Sequence, residues 1–262
     1  GAITSGAGNT FVGYQSGDAT DDGANNTAVG KGALSANCGD GNTVLGMNAA
    51  AAFTGNQIVA IGQSAAVGVV NGARNMAIGA FAYDAADGGE ADNIAIGYDA
   101  LGDLSSDSAT RNIAVGNYAC DGMAALANVD NIFMGYDAGG GTWATAASSG
   151  NVGIGSYVMD AAMNGALYNV GVGENALSAL TTGDQNTCVG RQAGNTIVAG
   201  GTNTCIGYNA QPSAADSTNQ TAIGNLATGQ GDNTVTLGDT NVTAVYMAED
   251  SGALVHSAGI QF

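Results

Sequence analysis

This chain of 262 residues predicts an all-β fold, a parallel β-solenoid or β-roll of about 14 coils with a period of about 17 residues. Three observations carry that expectation. A short phrase recurs, running Asn, an alternating run of three, Gly, two variable residues and then Ala, as in Asn26-Thr27-Ala28-Val29-Gly30 and Asn112-Ile113-Ala114-Val115-Gly116. The Gly of the phrase falls at 13, 30, 46, 62, 79, 97, 116, 135, 155, 173, 190, 207, 224 and 238, so the spacing stays near seventeen and swells mid-chain. The residue before each Gly is apolar throughout, from Val12 to Leu237, and the residue two earlier is Thr, Val, Ile or Met. Short β-branched runs punctuated by Gly read as strands, and units repeated at a fixed period bury their apolar faces on one another.

Within each coil the Asn comes first, in eleven of the fourteen copies. Asn tolerates the left-handed conformation of a corner, and stacked copies form an amide ladder. The strand follows. Positions two apart share a face, so the two flanking residues are expected to line the coil interior and the residue between them to face outward. That middle column holds Phe11, Ala28, Val44, Ala60, Ala77, Ala95, Ala114, Phe133, Cys188, Cys205 and Ala222, none of them charged. An uncharged stripe about 60 Å long is not left in water. It is therefore expected to pack against copies of itself around a rotation axis, as a homotrimer. The Gly then supplies a positive φ or a close backbone approach, and the Ala three residues on fills the opposite wall.

Stacking also predicts ion pairs between rungs. Five residues before the Gly, consecutive coils carry Arg74, Asp92, Arg111 and Asp130; one residue after it, adjacent coils carry Glu174 and Arg191. Cys188 and Cys205 share a column and are expected to stay reduced. Residues 1–238 form the repeat shaft or head. Residues 239–262 leave the pattern as a cap or transition segment, with strands expected at Val242–Tyr246 and Ala253–His256. A chain that opens on Gly1 is expected to be a processed or partial product.

Composition narrows the function classes. The net charge is −18, with only four cations (Lys31, Arg74, Arg111 and Arg191), which disfavours nucleic acid and anionic membrane surfaces as partners. No apolar run approaches the roughly 18 residues of a membrane-spanning helix. The four Cys form no CxxC and lie far from the single His256, so a zinc site is not expected. Nucleophilic catalysis would have His256 as its only base, and its neighbour Ser257 would point the other way in a strand.

Nineteen of the 22 acidic residues are Asp, spread thinly over loops. They read as solubilising turns more than as the paired carboxylates of a glycosidase. No cofactor is expected; calcium in the Asp-rich loops is a weak alternative, without an EF-hand or nonapeptide motif behind it. An ice-binding role would need exposed Thr files. Thr10, Thr27, Thr43, Thr187, Thr204 and Thr221 align, but the expected alternation turns them inward.

Asn9-Thr10-Phe11-Val12-Gly13-Tyr14 and Asn26-Thr27-Ala28-Val29-Gly30 with Ala33-Leu34 resemble repeats of bacteriophage tail fibres, which are related to the head repeats of trimeric autotransporter adhesins. The resemblance spans residues 9 to about 238. It implies a trimeric parallel β-roll on a virion or cell surface, and a mature end at Phe262 left by removal of a chaperone domain. The expected function is a non-enzymatic attachment-fibre segment that presents loops to a host glycan or protein, most simply in a phage tail fibre. A bacterial adhesin head, a subunit of a self-assembling extracellular filament and a polysaccharide depolymerase are the alternatives. Recognition, if present, is expected at the longest coils, in loops 101–111, 120–130 and 139–150, with Trp143, Tyr98, Tyr118 and Tyr136 as its candidates, although a Trp that covers the roll or fills an inter-chain groove is the commoner case.

Overall fold

The computed structural model describes residues 6–245 except 87, 107, 125 and 144. It is a β-solenoid with fourteen strands of three residues each. They are β1 (Thr10–Val12), β2 (Thr27–Val29), β3 (Thr43–Leu45), β4 (Val59–Ile61), β5 (Met76–Ile78), β6 (Ile94–Ile96), β7 (Ile113–Val115), β8 (Ile132–Met134), β9 (Val152–Ile154), β10 (Val170–Val172), β11 (Thr187–Val189), β12 (Thr204–Ile206), β13 (Thr221–Ile223) and β14 (Val235–Leu237). Each pairs in parallel with the next in chain order, giving one sheet. The register follows the phrase: Ile94, Ala95 and Ile96 face Ile113, Ala114 and Val115.

The facing of the strands is opposite to the sequence expectation. Ala28, Val44, Ala60, Ala77, Ala95, Ala114, Phe133, Cys188, Cys205 and Ala222 are all buried inside their own chain, and Phe11 packs partly buried against the same core. They line the coil interior and make no column between chains. The flanking residues face outward instead: Val12 is 56% exposed, Leu45 49% and Met134 41%. The physical reason is width. Directly behind the strand each coil is narrow and faces another short run of backbone, so most rungs admit only Ala, Gly or Cys at that point. Ala33, Ala49, Ala65, Ala100, Ala176 and Ala210 fill that far wall as expected, fully buried.

The parity is set by the Asn. Asn26, Asn42, Asn75, Asn93, Asn112, Asn131, Asn151, Asn169, Asn186 and Asn203 all point inward and are buried. In each, the side-chain oxygen accepts the backbone N–H of its counterpart one rung on, as from Asn112 N to Asn93 Oδ1 at 2.9 Å and from Asn151 N to Asn131 Oδ1 at 3.0 Å. The amide nitrogen donates to a carbonyl across the coil, as from Asn112 Nδ2 to Asn128 O at 2.8 Å. The ladder therefore satisfies buried backbone at every corner, which is what keeps a buried polar column affordable. Asn itself does not take the left-handed conformation; the residue before it does, at Arg74, Asp92, Arg111 and Asp130 (φ 59–61°). Further left-handed residues such as Tyr118 and Cys120 turn the chain after the strand, held by Tyr118 N donating to Tyr98 O at 2.9 Å and Cys120 N to Ala138 O at 2.9 Å.

The long middle coils widen the interior. Leu104, Met123, Trp143 and Met163 turn into it and are fully buried. Loops 101–111, 120–130 and 139–150 thus contribute core side chains, and Met123 bridges Trp143 rung to rung. Val242–Val245 is not a strand. The other expected elements of the tail, with His256, Ser257 and Phe262, lie outside the described residues.

Candidate functional surfaces

Three features of the surface follow from this facing. The first is the outer face of the sheet. One column runs Thr10, Thr27, Thr43, Val59, Met76, Ile94, Ile113, Ile132, Val152, Val170, Thr187, Thr204, Thr221 and Val235; the other runs from Val12 to Leu237. All of these side chains are exposed or half-buried. The Thr files at the two ends face solvent, not the interior as the expected alternation had it. Seven consecutive aliphatic rungs, Val59 to Val170, separate them. The two columns extend over about 60 Å, and a contiguous exposed apolar patch of this kind marks an interaction surface.

The second feature borders that sheet on the side where each strand begins. Arg74 forms a two-pronged contact with Asp92 on the next rung, Nε to Oδ1 at 2.6 Å and Nη2 to Oδ2 at 2.8 Å. Arg111 holds Asp130 in the same way, at 2.6 and 2.9 Å. The hydrogen bond from Arg74, and then its charge, hold the Asp92 carboxyl below its usual range; Arg111 does the same for Asp130. Past the sheet's other border, Arg191 Nε donates to Glu174 Oε2 at 2.8 Å while its guanidinium lies 5.8 Å from the Tyr208 ring. All three expected pairs form, which confirms the rung register. They are exposed to solvent and add little stability.

The third feature lies round the corner after each Gly. Phe81, Tyr98, Tyr118, Tyr136 and Tyr157 make an unbroken file of edge-to-face rings, 5.4–5.8 Å apart, one per rung. Tyr98, Tyr136 and Tyr157 are 42%, 45% and 38% exposed. Trp143, by contrast, is fully buried, its ring 5.8 Å from Phe133. It cannot meet a ligand and belongs to the core. The zigzag of Tyr98, Tyr118, Tyr136 and Tyr157 was missed in the sequence because the rings alternate between the first and second residue after Gly.

Carboxylates run beside this file. Burial raises the Asp121 carboxyl to about 6, and the neighbouring charges of Asp137, Asp99 and Asp103 add to it. Asp84, Asp99 and Asp160 are raised in the same sense, again mainly by burial. In the folded state Asp121 therefore holds a proton more tightly than the roughly 3.9 of an unfolded chain. Between about pH 4 and pH 6 the native state binds the extra proton, so stability falls as pH rises through that window. The melting temperature is expected to rise by a few degrees from pH 7.5 to pH 5, and Asp121→Asn to reduce that rise. A melting temperature that falls on acidification through this window would contradict the assignment.

Other Asp side chains do structural work. Asp40 Oδ1 accepts Ala24 N, Asp184 Oδ1 accepts Leu167 N and Asp232 Oδ1 accepts Thr218 N, each at 2.8 Å and each on the preceding coil. Among the described residues no three His, Cys, Asp or Glu side chains are grouped to hold a metal ion. Cys188 and Cys205 are buried, adjacent and unbridged. A hydrogen bond with Cys205, and then burial, hold the Cys188 thiol above its usual range. No helix among the described residues is long and apolar enough to cross a membrane. No family model, curated protein or solved structure matches the chain.

Proposed function

We propose that this chain is a non-enzymatic structural segment of an attachment fibre, assembled as a homotrimer and most simply part of a phage tail fibre on a virion or extracellular surface. The observation that carries this reading is the two-column outer sheet face, aliphatic through its middle and repeated on every rung. Such a face is a subunit interface cut open. An axis parallel to the rod would let all fourteen rungs of each copy engage together, with the aliphatic columns of Ile94, Ile113 and Ile132 meeting at the centre. The phrase residues Asn-Thr-Ala-Val-Gly, shared with trimeric fibre repeats, favour three copies over two.

The aliphatic run from Val59 to Val170 also argues against a face built to order water, since those side chains offer it no hydrogen bonds. A bacterial adhesin head uses the same physics and stays the companion reading. An Ile113→Asp/Ile132→Asp variant is expected to sediment as a monomer while keeping its β-type circular dichroism, because both positions face outward. A variant that stays assembled would contradict the interface. Gold-labelled antibody is expected to decorate projecting fibres on the native particle or cell; label confined to a cell interior would contradict the attachment role.

A further inference from the structure

The aromatic file is a long surface feature that the proposed sheet interface does not use. Each Gly, with φ of 139° at Gly97 and Gly116, carries the chain out of the sheet before the rings begin. Tyr98 and Tyr136 sit one residue past that corner, Tyr118 and Tyr157 two residues past it. Successive rings are turned by 68–80° to one another, and the same position after the Gly returns every second rung. Two rungs span about 9.5 Å, close to one disaccharide of a β-1,4-linked glycan, whose successive sugars likewise turn over. The backbone beneath is fixed: Tyr118 N donates to Tyr98 O and Tyr157 N to Tyr136 O, both at 2.9 Å, and Tyr98 N to Asn117 Oδ1 at 2.9 Å. The platform is preformed, so little ordering cost falls on binding.

Charge selects among glycans. Asp99 and Asp137 share rungs with Tyr98 and Tyr136, and Asp121 follows Tyr118 closely, with its backbone N–H donating to Tyr118 O. Asp99 and Asp137 hold the same position two residues after the Gly of their rungs, and the Asp121 and Asp137 side chains both reach Gly140. Asp121 Oδ1 is buried without a hydrogen-bond partner among the described residues, so the half-buried Asp99 and Asp137 are the carboxylates that a surface ligand meets. Arg74 and Arg111 are held by Asp92 and Asp130 at the start of the strands, beyond the sheet from this strip. The strip therefore joins aromatic rings to carboxylates, the pairing that receives cations.

We propose that the strip from Tyr98 to Tyr157 binds a linear β-1,4-glycan bearing free amino groups, its apolar sugar faces on the rings and its ammonium groups against Asp99 and Asp137. This deepens the attachment reading by naming the chemistry of the surface recognised. Anionic polysaccharides are repelled by the same carboxylates.

The test is calorimetric titration of the intact chain, in low-salt buffer, with a fully deacetylated glucosamine hexamer, its N-acetylated counterpart and a polyuronate. The deacetylated hexamer is expected to bind most tightly and the polyuronate not at all. Tyr98→Ala/Tyr136→Ala is expected to weaken binding about tenfold. Asp22→Asn/Asp216→Asn, which removes two charges elsewhere on the exposed surface, is expected to leave it unchanged. No binding, or equal loss in both double variants, would overturn the proposal. Light scattering on the same samples separates this from the assembly reading. A trimer that binds no hexamer sinks the strip alone, and a monomer that binds through its Tyr rings sinks the trimer alone. Loss of assembly on Tyr98→Ala/Tyr136→Ala would make the strip a subunit contact and overturn the proposal.

Discussion

Gly116→Ala is expected to destabilise the central coils by about 3 kcal/mol or more, through strain and a backbone clash together. Gly116 has φ 139°, outside the range of ordinary L-residues, and a Cβ there would press into the carbonyl of Gly135 on the next rung. The same stacking holds from Gly13 to Gly207, so each Gly is the close-approach point for the next. Gly231 supplies the control, because it has a similar φ of 146° but nothing within 4 Å of an added Cβ. Gly231→Ala should therefore carry the conformational cost alone, about 1–2 kcal/mol. Urea unfolding of both variants measures the difference. Equal losses would mean that rung-to-rung contact adds nothing at this corner.

A second large effect is expected where one large ring interrupts the small-residue column. Phe133 is fully buried, and the next two rungs answer it with Gly153 and Gly171. A Cβ at Gly153 would lie 2.5 Å from the Phe133 ring, so the ring occupies space that Ala would otherwise fill. Phe133→Ala is expected to cost about 3–5 kcal/mol, since Trp143 and Gly153 cannot close the gap. Gly153→Ala alone is expected to cost about 1–3 kcal/mol by overpacking. In the double variant the added methyl enters the vacated space, so the two losses should fall short of additivity by about 1 kcal/mol or more. Strictly additive losses would show that the ring and the Gly do not share that volume.

These effects show where the sequence was readable. The recurring Gly with an apolar residue before it, opened by Asn in eleven copies, located all fourteen strands and their register, because a period of about 17 leaves few other ways to stack them. The in-line positions of Arg74, Asp92, Arg111 and Asp130 named the ion pairs correctly for the same reason. Facing went wrong at the strand. Alternation gives two faces but not their sense, and bulky Val and Ile were assigned to the interior on hydrophobicity. Steric room decides otherwise: a narrow coil takes Ala114 inside and sends Ile113 and Val115 out. The signal was present in the Asn, whose buried position fixes the parity of the three residues after it.

Trp143 was misplaced for a different reason. A Gly-rich stretch reads as surface loop, yet the longer middle coils have a wider lumen that the indole fills. Tyr98, Tyr118 and Tyr136 were named from the sequence, but their stacking into one file with Tyr157 was not, because the zigzag between two positions blurs any single column. Exchanging the roles of the two sheet faces moves the assembly argument from small residues to large ones and strengthens it, since Ile and Val bury far more apolar area than Ala.

The most direct test of the account is the mass of the unaltered chain in solution by sedimentation equilibrium. Burial of the Ile94, Ile113 and Ile132 face predicts a discrete species three times the 25.4 kDa chain across the dilution series. A stable species at 25.4 kDa, with that face open to water, would contradict it.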